Sequence, residues 1–211
     1  MSSSEIMNIV LFANGEAIKT AIVNKVLYKL VEKPLIIAVD GGLENSISVG
    51  LTADYVVGDL DSANILDNSA KIIKLSDQNF TDLQKCLVFI EEFNPQKVFI
   101  FSAFGKRFDH SLSNLIMFYH LSANYEFELY DNYGKLKILS AGKHRIKALI
   151  DTTISFFSLN KIKDFVLEGF QYNLKAKSLP YFIGVSNIVK SDDAYIEFSS
   201  GKLISYELTG N

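Results

Sequence analysis

The sequence predicts an α/β protein: an N-terminal domain with a mostly parallel, Rossmann-like sheet, followed by a small all-β sandwich. Residues 6–139 alternate short apolar runs with longer helical patterns, which is typical of βαβ units. From about residue 140 the helical periodicity fades, and short strand-like runs separated by Gly, Asn, Ser and Asp take over. We therefore expect one domain over 1–138 and a second over 139–211.

The strands of the first domain are predicted from short runs rich in Val, Ile and Phe. Such runs, bounded by polar or helical segments, favour buried strands of a parallel sheet. The candidates are IVLFA (9–13), LIIAV (35–39), YVV (55–57), KIIKL (71–75) and KVFIFSA (97–103).

Two helices are predicted in this domain. The first begins after Thr81, because TDLQ places Gln84 three residues beyond a Thr cap, the pattern of a capping box. Its apolar positions share one face, which predicts a buried stripe and a core role for the cysteine: Leu83, Cys86, Leu87 and Ile90. The second helix is predicted over 109–121, with these residues on one face: Leu112, Leu115, Ile116 and Tyr119.

The second domain is predicted from four short strand-like segments. In KLISYEL an apolar set alternates with a mainly polar set, as in a strand with one buried face. The segments are TISFFSL, DFVLEGF, AYIEFSS and KLISYEL.

The composition of the chain argues against several classes of partner and of structural site. The chain has 211 residues, 48% of them hydrophobic, and a formal charge of −3, which argues against nucleic acid or an anionic membrane surface as partner. Cys86 stands alone, which excludes an intrachain disulfide and a cysteine zinc cluster. The N-terminal residues do not resemble a signal peptide, so we expect a cytoplasmic location.

Acidic residues follow three successive predicted strands. Because the carboxyl ends of parallel strands meet at one edge of a sheet, we expect these side chains to converge on one crevice. Converging carboxylates without Cys favour Mg²⁺, which bridges to phosphate. Each residue alone has the alternative of a helix cap or a turn, above all Asp77, and Asp109 at the start of the second helix has the same alternative. The residues are Asp40, Asp59, Asp61, Asp77 and Asp82.

Phosphate binding is expected without the common glycine motifs, since neither GxxxxGK[ST] nor GxGxxG occurs. FGKRFDH (104–110) instead places Lys106 and Arg107 ahead of a helix, where a guanidinium can bind phosphate through two hydrogen bonds. Lys85 is a second candidate cation, although both lysines have the alternative of a solvated surface position. His110 is interpreted as a residue that begins a helix or contacts the ligand.

The motifs, taken in order, resemble the thiamine pyrophosphokinase family. The matching segments are DGG (40–42), GDLDS (58–62), DQNFTDLQKCL (77–87), FGKRFDHSLSNL (104–115), LEGFQYNL (167–174) and GVSN (184–187). The resemblance covers nearly the whole chain. It implies an ATP:thiamine diphosphotransferase that releases AMP, with Mg²⁺ as cofactor, and a homodimer with thiamine sites at the subunit interface.

The resemblance also implies roles for individual residues. The catalytic set would be Asp40, Asp59, Asp61 and Asp82, the first three of which would hold the metal. The ATP-binding set would be Gly41, Gly42, Asp77, Thr81, Lys85, Arg107, Asp109 and His110. Ser186 and Asn187 would contact thiamine, and either Asp82 or Asp61 would accept the proton of the thiamine hydroxyl group.

Two departures from the family pattern bear on the site. Lys106 stands where the family often has Gly, and the chain has no Trp to present to thiamine. Tyr172, Phe182 and Tyr195 are the candidate replacements. Two other functions stay open: a Mg²⁺-dependent pyrophosphokinase with another acceptor, such as a hydroxymethylpterin, and a nucleotide-binding module without turnover.

Overall fold

The computed structural model describes residues 7–58, 70–75, 77–121 and 123–209. The chain divides into two compact units, one ending at Asn132 and the other beginning at Tyr133. In the described ranges, none of the helices has the length and apolar character needed to span a membrane.

The first unit contains a parallel sheet. Its strands, among the described residues, are β1 (Asn8–Phe12), β2 (Leu35–Val39), β3 (Tyr55–Val57), β4 (Lys71–Ile73), β5 (Lys97–Phe101) and β6 (Glu126–Tyr130). They pair in the order β6, β5, β1, β2, β3, β4, each neighbouring pair being parallel. The predicted strands 35–39 and 55–57 coincide with β2 and β3, whereas β4 and β5 end two residues before their predicted ends.

Helices pack against this sheet. They are α1 (Thr20–Leu27), α2 (Gly42–Ser48), α3 (Asp82–Ile90) and α4 (Phe108–His120), with a 3₁₀ turn at Glu91–Phe93. Every residue of β1 from Ile9 to Phe12 is fully buried, so both faces of this central strand are covered, as expected for a parallel sheet.

The capping box and buried stripe predicted for α3 are confirmed. The Thr81 hydroxyl accepts a hydrogen bond from the Gln84 backbone N–H (3.2 Å), and the Gln84 side chain accepts one from the Thr81 backbone N–H (2.8 Å). All four stripe residues are buried, and burial raises the pKa of the Cys86 thiol, which makes it an unreactive core residue.

The face predicted for α4 is partly wrong. Phe118 and Tyr119 are fully buried, whereas Leu112 and Ile116 remain 43% exposed. The helix begins at Phe108 and carries apolar residues on more than one side, so periodicity alone did not identify the face that packs on the sheet.

The second unit is built from antiparallel strands. In the part of the chain described, they are β7 (Gly134–Arg145), β8 (Thr153–Ser158), β9 (Ile162–Glu168), β10 (Leu174–Leu179), β11 (Phe182–Ile188) and β12 (Tyr195–Leu208). The segments AYIEFSS and KLISYEL, predicted as two strands, belong to the single long strand β12.

Strand β12 takes part in two sets of pairings. It pairs with β7 along its length, with a shift of register between Phe198 and Lys202. Before the shift β12 also pairs with β9, and after it β12 pairs with β8. Strand β10 then pairs with β9, and strand β11 pairs with β8. Side chains from both sets form one apolar cluster, which includes Phe156, Phe165 and Phe198.

Candidate active site

A cavity of about 640 Å³ opens where strands β1, β2 and β5 of the first unit end. β1 lies between β2 and β5, so the direction of chain progression across the sheet reverses at this point, where open α/β sheets bind their ligands. The lining residues are Ala13, Asn14, Gly15, Val39, Asp40, Thr81, Asp82, Leu83, Ala103, Gly105, Lys106, Arg107, Asp109, His110, Ser113 and Asn114.

The loops around the cavity approach one another so closely that two positions require glycine. A Cβ at Gly42 would lie 2.1 Å from the Phe12 carbonyl oxygen, and one at Gly15 would lie 2.3 Å from the Ser102 carbonyl oxygen. Both contacts are with backbone atoms, which cannot move aside without shifting a strand end. Gly42 therefore allows the start of α2 to pack closely against the end of β1, and it does not line the cavity.

Three asparagines hold the loops in place. The buried Asn45 side chain donates to the Ala13 carbonyl oxygen (2.8 Å), and that of Asn114 donates to the Ala103 carbonyl oxygen (2.7 Å). The third, Asn14, accepts a hydrogen bond from the Lys106 ammonium (3.0 Å). Sequence reasoning missed all three, and the only available signal was the Asn-Gly pair after the first strand.

The backbone adopts the left-handed conformation at three non-glycine residues here. The φ angles are 45° at Asp40, 57° at Ser102 and 57° at Lys106. Such residues cost roughly 1 kcal/mol or more each and collect at functional sites. The Ser102 conformation also explains why β5 ends earlier than the sequence predicts.

The predicted acidic set is only partly brought together. Asp40 and Asp82 both line the cavity. Asp59 and Asp61 lie outside the described residues. Asp77 lines a second cavity instead, where its carboxylate accepts two hydrogen bonds from Asn79, as in a turn.

Lys85 does not line the active-site cavity, but it forms an ion pair with Asp82, which does. Its ammonium lies 2.6 Å from Asp82 Oδ1 and donates to the Leu75 carbonyl oxygen (3.1 Å). The lysine side chain is only 12% exposed, so it holds Asp82 in place. Lys85 itself lines the second cavity together with Asp77.

Arg107 and Asp109 form an ion pair at the start of α4. Two guanidinium nitrogens of Arg107 donate to the two carboxylate oxygens of Asp109. This hydrogen bonding lowers the pKa of Asp109 to about 2 and raises that of Arg107. His110 and Thr81, two residues of the predicted ATP-binding set, also line the cavity.

The donor chemistry at the cavity fits a hard cation. Asp40 and Asp82 offer carboxylate oxygens, the ligands that Mg²⁺ prefers. Among the described residues no group of three His, Cys, Asp or Glu side chains comes close enough to hold a metal ion.

The two predicted thiamine contacts lie on β11 and differ in environment. Ser186 is exposed. Asn187 is buried: its amide oxygen accepts from the backbone N–H of Tyr172 (3.0 Å), and its amide nitrogen donates to the Tyr172 carbonyl oxygen (2.7 Å). Tyr172, Phe182 and Asn187 line a cavity of about 340 Å³ in the second unit, whereas the Tyr195 hydroxyl donates to Glu168.

Comparison with known proteins identifies relatives that match nearly the whole chain. A family model described as thiamin pyrophosphokinase, catalytic domain, matches residues 27–130, and one described as its vitamin B1 binding domain matches 143–203. "Thiamin pyrophosphokinase 1" of Caenorhabditis elegans is 24% identical over an alignment that covers 95% of this chain and 89% of the relative.

Solved structures share the fold. A thiamine pyrophosphokinase from Bacillus subtilis superimposes with a TM-score of 0.83 at 24% identity, covering 97% of this chain and all of the other. One from Candida albicans gives 0.79 at 17% identity, covering 97% and 90%. With both domain models matched in order, the chain belongs to the thiamin pyrophosphokinase family.

Proposed function

We propose that the protein transfers the pyrophosphoryl group of ATP to the hydroxyl group of thiamine, giving thiamine diphosphate and AMP. The observation that carries this proposal is the cavity where β1, β2 and β5 end, because it combines Asp40 and Asp82 with the guanidinium of Arg107. Phosphoryl-type transfer needs mainly positioning and charge stabilisation, and these residues supply both.

The reaction forms one bond and breaks one. The thiamine hydroxyl oxygen attacks the β-phosphorus of ATP, and the bond from that phosphorus to the oxygen bridging the α-phosphorus breaks, so AMP leaves. Of the two candidates to accept the hydroxyl proton, Asp82 lies among the described residues, and Lys85 orients its carboxylate within the cavity. Arg107 would offset charge on the phosphates through its guanidinium group, two nitrogens of which donate to Asp109 in the absence of ATP.

Mg²⁺ is part of the proposal. Asp40, with Asp59 and Asp61 from the GDLDS motif, would hold the ion. When bound, the ion offsets the negative charge of the phosphates.

We further assign the unit that ends at Asn132 as a Rossmann-like catalytic domain and the unit from Tyr133 as a β-sandwich thiamine-binding domain. The matches to the catalytic and vitamin B1 binding domain models support this assignment. The family resemblance implies a homodimer with thiamine sites between subunits, and sedimentation of the purified protein tests the dimer. A cytoplasmic location stays the expectation from the N-terminal sequence.

Acceptor choice tests the function. The protein is incubated with ATP and Mg²⁺ and with either thiamine or hydroxymethylpterin. We expect AMP and thiamine diphosphate in equal amounts, and no product from the pterin. Turnover of the pterin alone would favour the other pyrophosphokinase, and ATP binding without any product would favour a module that has lost catalysis.

The acidic residues are tested by substitution. Asp40→Asn and Asp82→Asn should each lower kcat by on the order of 100-fold or more, because each removes a charge that the reaction uses. Asp192→Asn, at an exposed carboxylate of the other unit, is the matched control and should keep full activity. Full activity of the Asp82 variant would remove it as the base.

A further inference from the structure

The cations around the active-site cavity differ in what they contact. Lys106 and Arg107 are the lysine and arginine among its described lining residues, and Lys85 reaches it through Asp82. Arg107 and Lys85 each pair with a carboxylate. The Lys106 ammonium donates to the neutral amide oxygen of Asn14 and forms no ion pair with a carboxylate of the described residues.

The position of this ammonium is fixed from two sides. Lys106 has a φ of 57° and follows Gly105, whose φ is 88°, so the loop after β5 turns sharply at these residues. Asn14 belongs to the loop after β1, which Asn45 holds through the carbonyl oxygens on both sides of Asn14, at 2.8 Å from that of Ala13 and 3.3 Å from that of Gly15. The hydrogen bond between Lys106 and Asn14 therefore joins the two loops that meet where the sheet reverses.

The hydrogen bond to Asn14 leaves the ammonium with capacity for a ligand. A lysine ammonium has three N–H donors, and Asn14 accepts one of them. The other two can be donated to oxygens of an anion in the cavity. A residue with a positive φ is strained unless it is glycine, so the backbone alone would favour glycine at this position.

We propose that Lys106, positioned by Asn14, binds the phosphate chain of ATP and raises the affinity of this protein for the nucleotide. The proposal rests on the proposed function, since it takes ATP as the ligand of the cavity. Asp109 offsets the charge of Arg107, whereas the Lys106 ammonium is paired with a neutral amide. Lys106 therefore contributes to binding ATP, and the chemical step depends on other residues.

Substitution at position 106 separates the charge from the backbone. Lys106→Gly removes the ammonium but suits the positive φ, so it should fold at least as well as the wild type. We expect it to weaken ATP binding, measured by calorimetry with Mg²⁺ and without thiamine, about tenfold, the effect of one charge–phosphate contact at a partly exposed site. In turnover, KM for ATP should rise to a similar extent while kcat changes by less than about twofold.

Charge and salt provide the controls. Lys106→Arg should restore most of the affinity, and the difference between wild type and Lys106→Gly should shrink at about 0.5 M salt, because salt screens exposed charges. Asn14→Ala should weaken binding less than Lys106→Gly does, since the ammonium remains but is no longer positioned. Lys33→Gly, at an exposed loop lysine outside the cavity lining, should bind ATP as the wild type does.

The outcomes distinguish this inference from the proposed function. ATP binding by Lys106→Gly equal to that of the wild type, or a loss that neither arginine nor salt alters, would overturn the role of Lys106 even if thiamine is converted. If the wild type binds ATP but does not convert thiamine, the proposed function is contradicted. The ATP affinities of the wild type and of Lys106→Gly would then still test the role of Lys106. Absence of ATP binding by the wild type would overturn both.

Discussion

At the residue scale, the ion pair between Arg107 and Asp109 controls how much positive charge the 104–110 loop presents. Both side chains are more than half exposed, so solvent screens the pair and either residue can exchange partners. The sequence predicted both as ATP-site residues. Their pairing with each other depends on side-chain positions at the start of α4, which no motif specifies.

The first prediction concerns the titration of Asp109. Because the pKa of the folded state, about 2, lies below the ordinary value, the pair stabilises the protein fully above about pH 4, and this contribution is lost as pH falls through the folded pKa. Arg107→Gln should raise the Asp109 pKa toward about 3.9, as measured by NMR of the carboxyl carbon. Arg145→Gln, which removes a guanidinium paired with Asp193, is the control. A midpoint near pH 4 in the wild type would refute the pairing.

At the element scale, local signals predicted α3 well and β6 not at all. The capping box, the stripe and the core cysteine of α3 depend on residues within one short segment, so the sequence contains the whole signal. β6 carries the buried Glu128, whose carboxylate accepts hydrogen bonds from Lys97 (2.7 Å) and from the Tyr130 hydroxyl. A charged residue within the strand obscures its apolar pattern, and the partner that satisfies it, Lys97, lies on another strand.

The second prediction concerns the cap of α3, which begins at Asp82. Thr81→Ala removes the acceptor for the Gln84 backbone N–H and should lower the free energy of unfolding by about 1 kcal/mol. Thr81→Ser keeps the hydroxyl group and should unfold at the wild-type urea concentration. If the alanine variant unfolds there too, the cap does not stabilise the helix.

The third prediction separates the two residues of β11 expected to contact thiamine. Asn187→Ala leaves the Tyr172 backbone without its partners and should destabilise the protein, with no ligand present, by about 1–3 kcal/mol. Ser186→Ala, at an exposed position, should change stability by less than about 0.5 kcal/mol. Equal stability of the two variants in urea would mean that Asn187 has no structural role.

At the scale of the whole molecule, the active-site cavity arises from the order of strands in the sheet. The sequence predicted that Asp40 and Asp82 would converge, because both follow strands of a parallel sheet. It did not predict Asn14, Asn45 or Asn114, since their roles depend on β1 lying between β2 and β5, a pairing of segments far apart in the chain. Lys106 departs from the family pattern in the sequence, but its contact with Asn14 depends on the same pairing of β1 with β5, which the sequence does not show.

The central claim is that a pyrophosphoryl group moves as one unit from ATP to thiamine. Phosphorus NMR of a mixture of the protein, ATP, Mg²⁺ and thiamine tests it directly. We predict that the β- and γ-phosphorus signals of ATP reappear together as thiamine diphosphate while the α-phosphorus appears in AMP. Accumulation of ADP with thiamine monophosphate, or of ADP with inorganic phosphate, would contradict the claim.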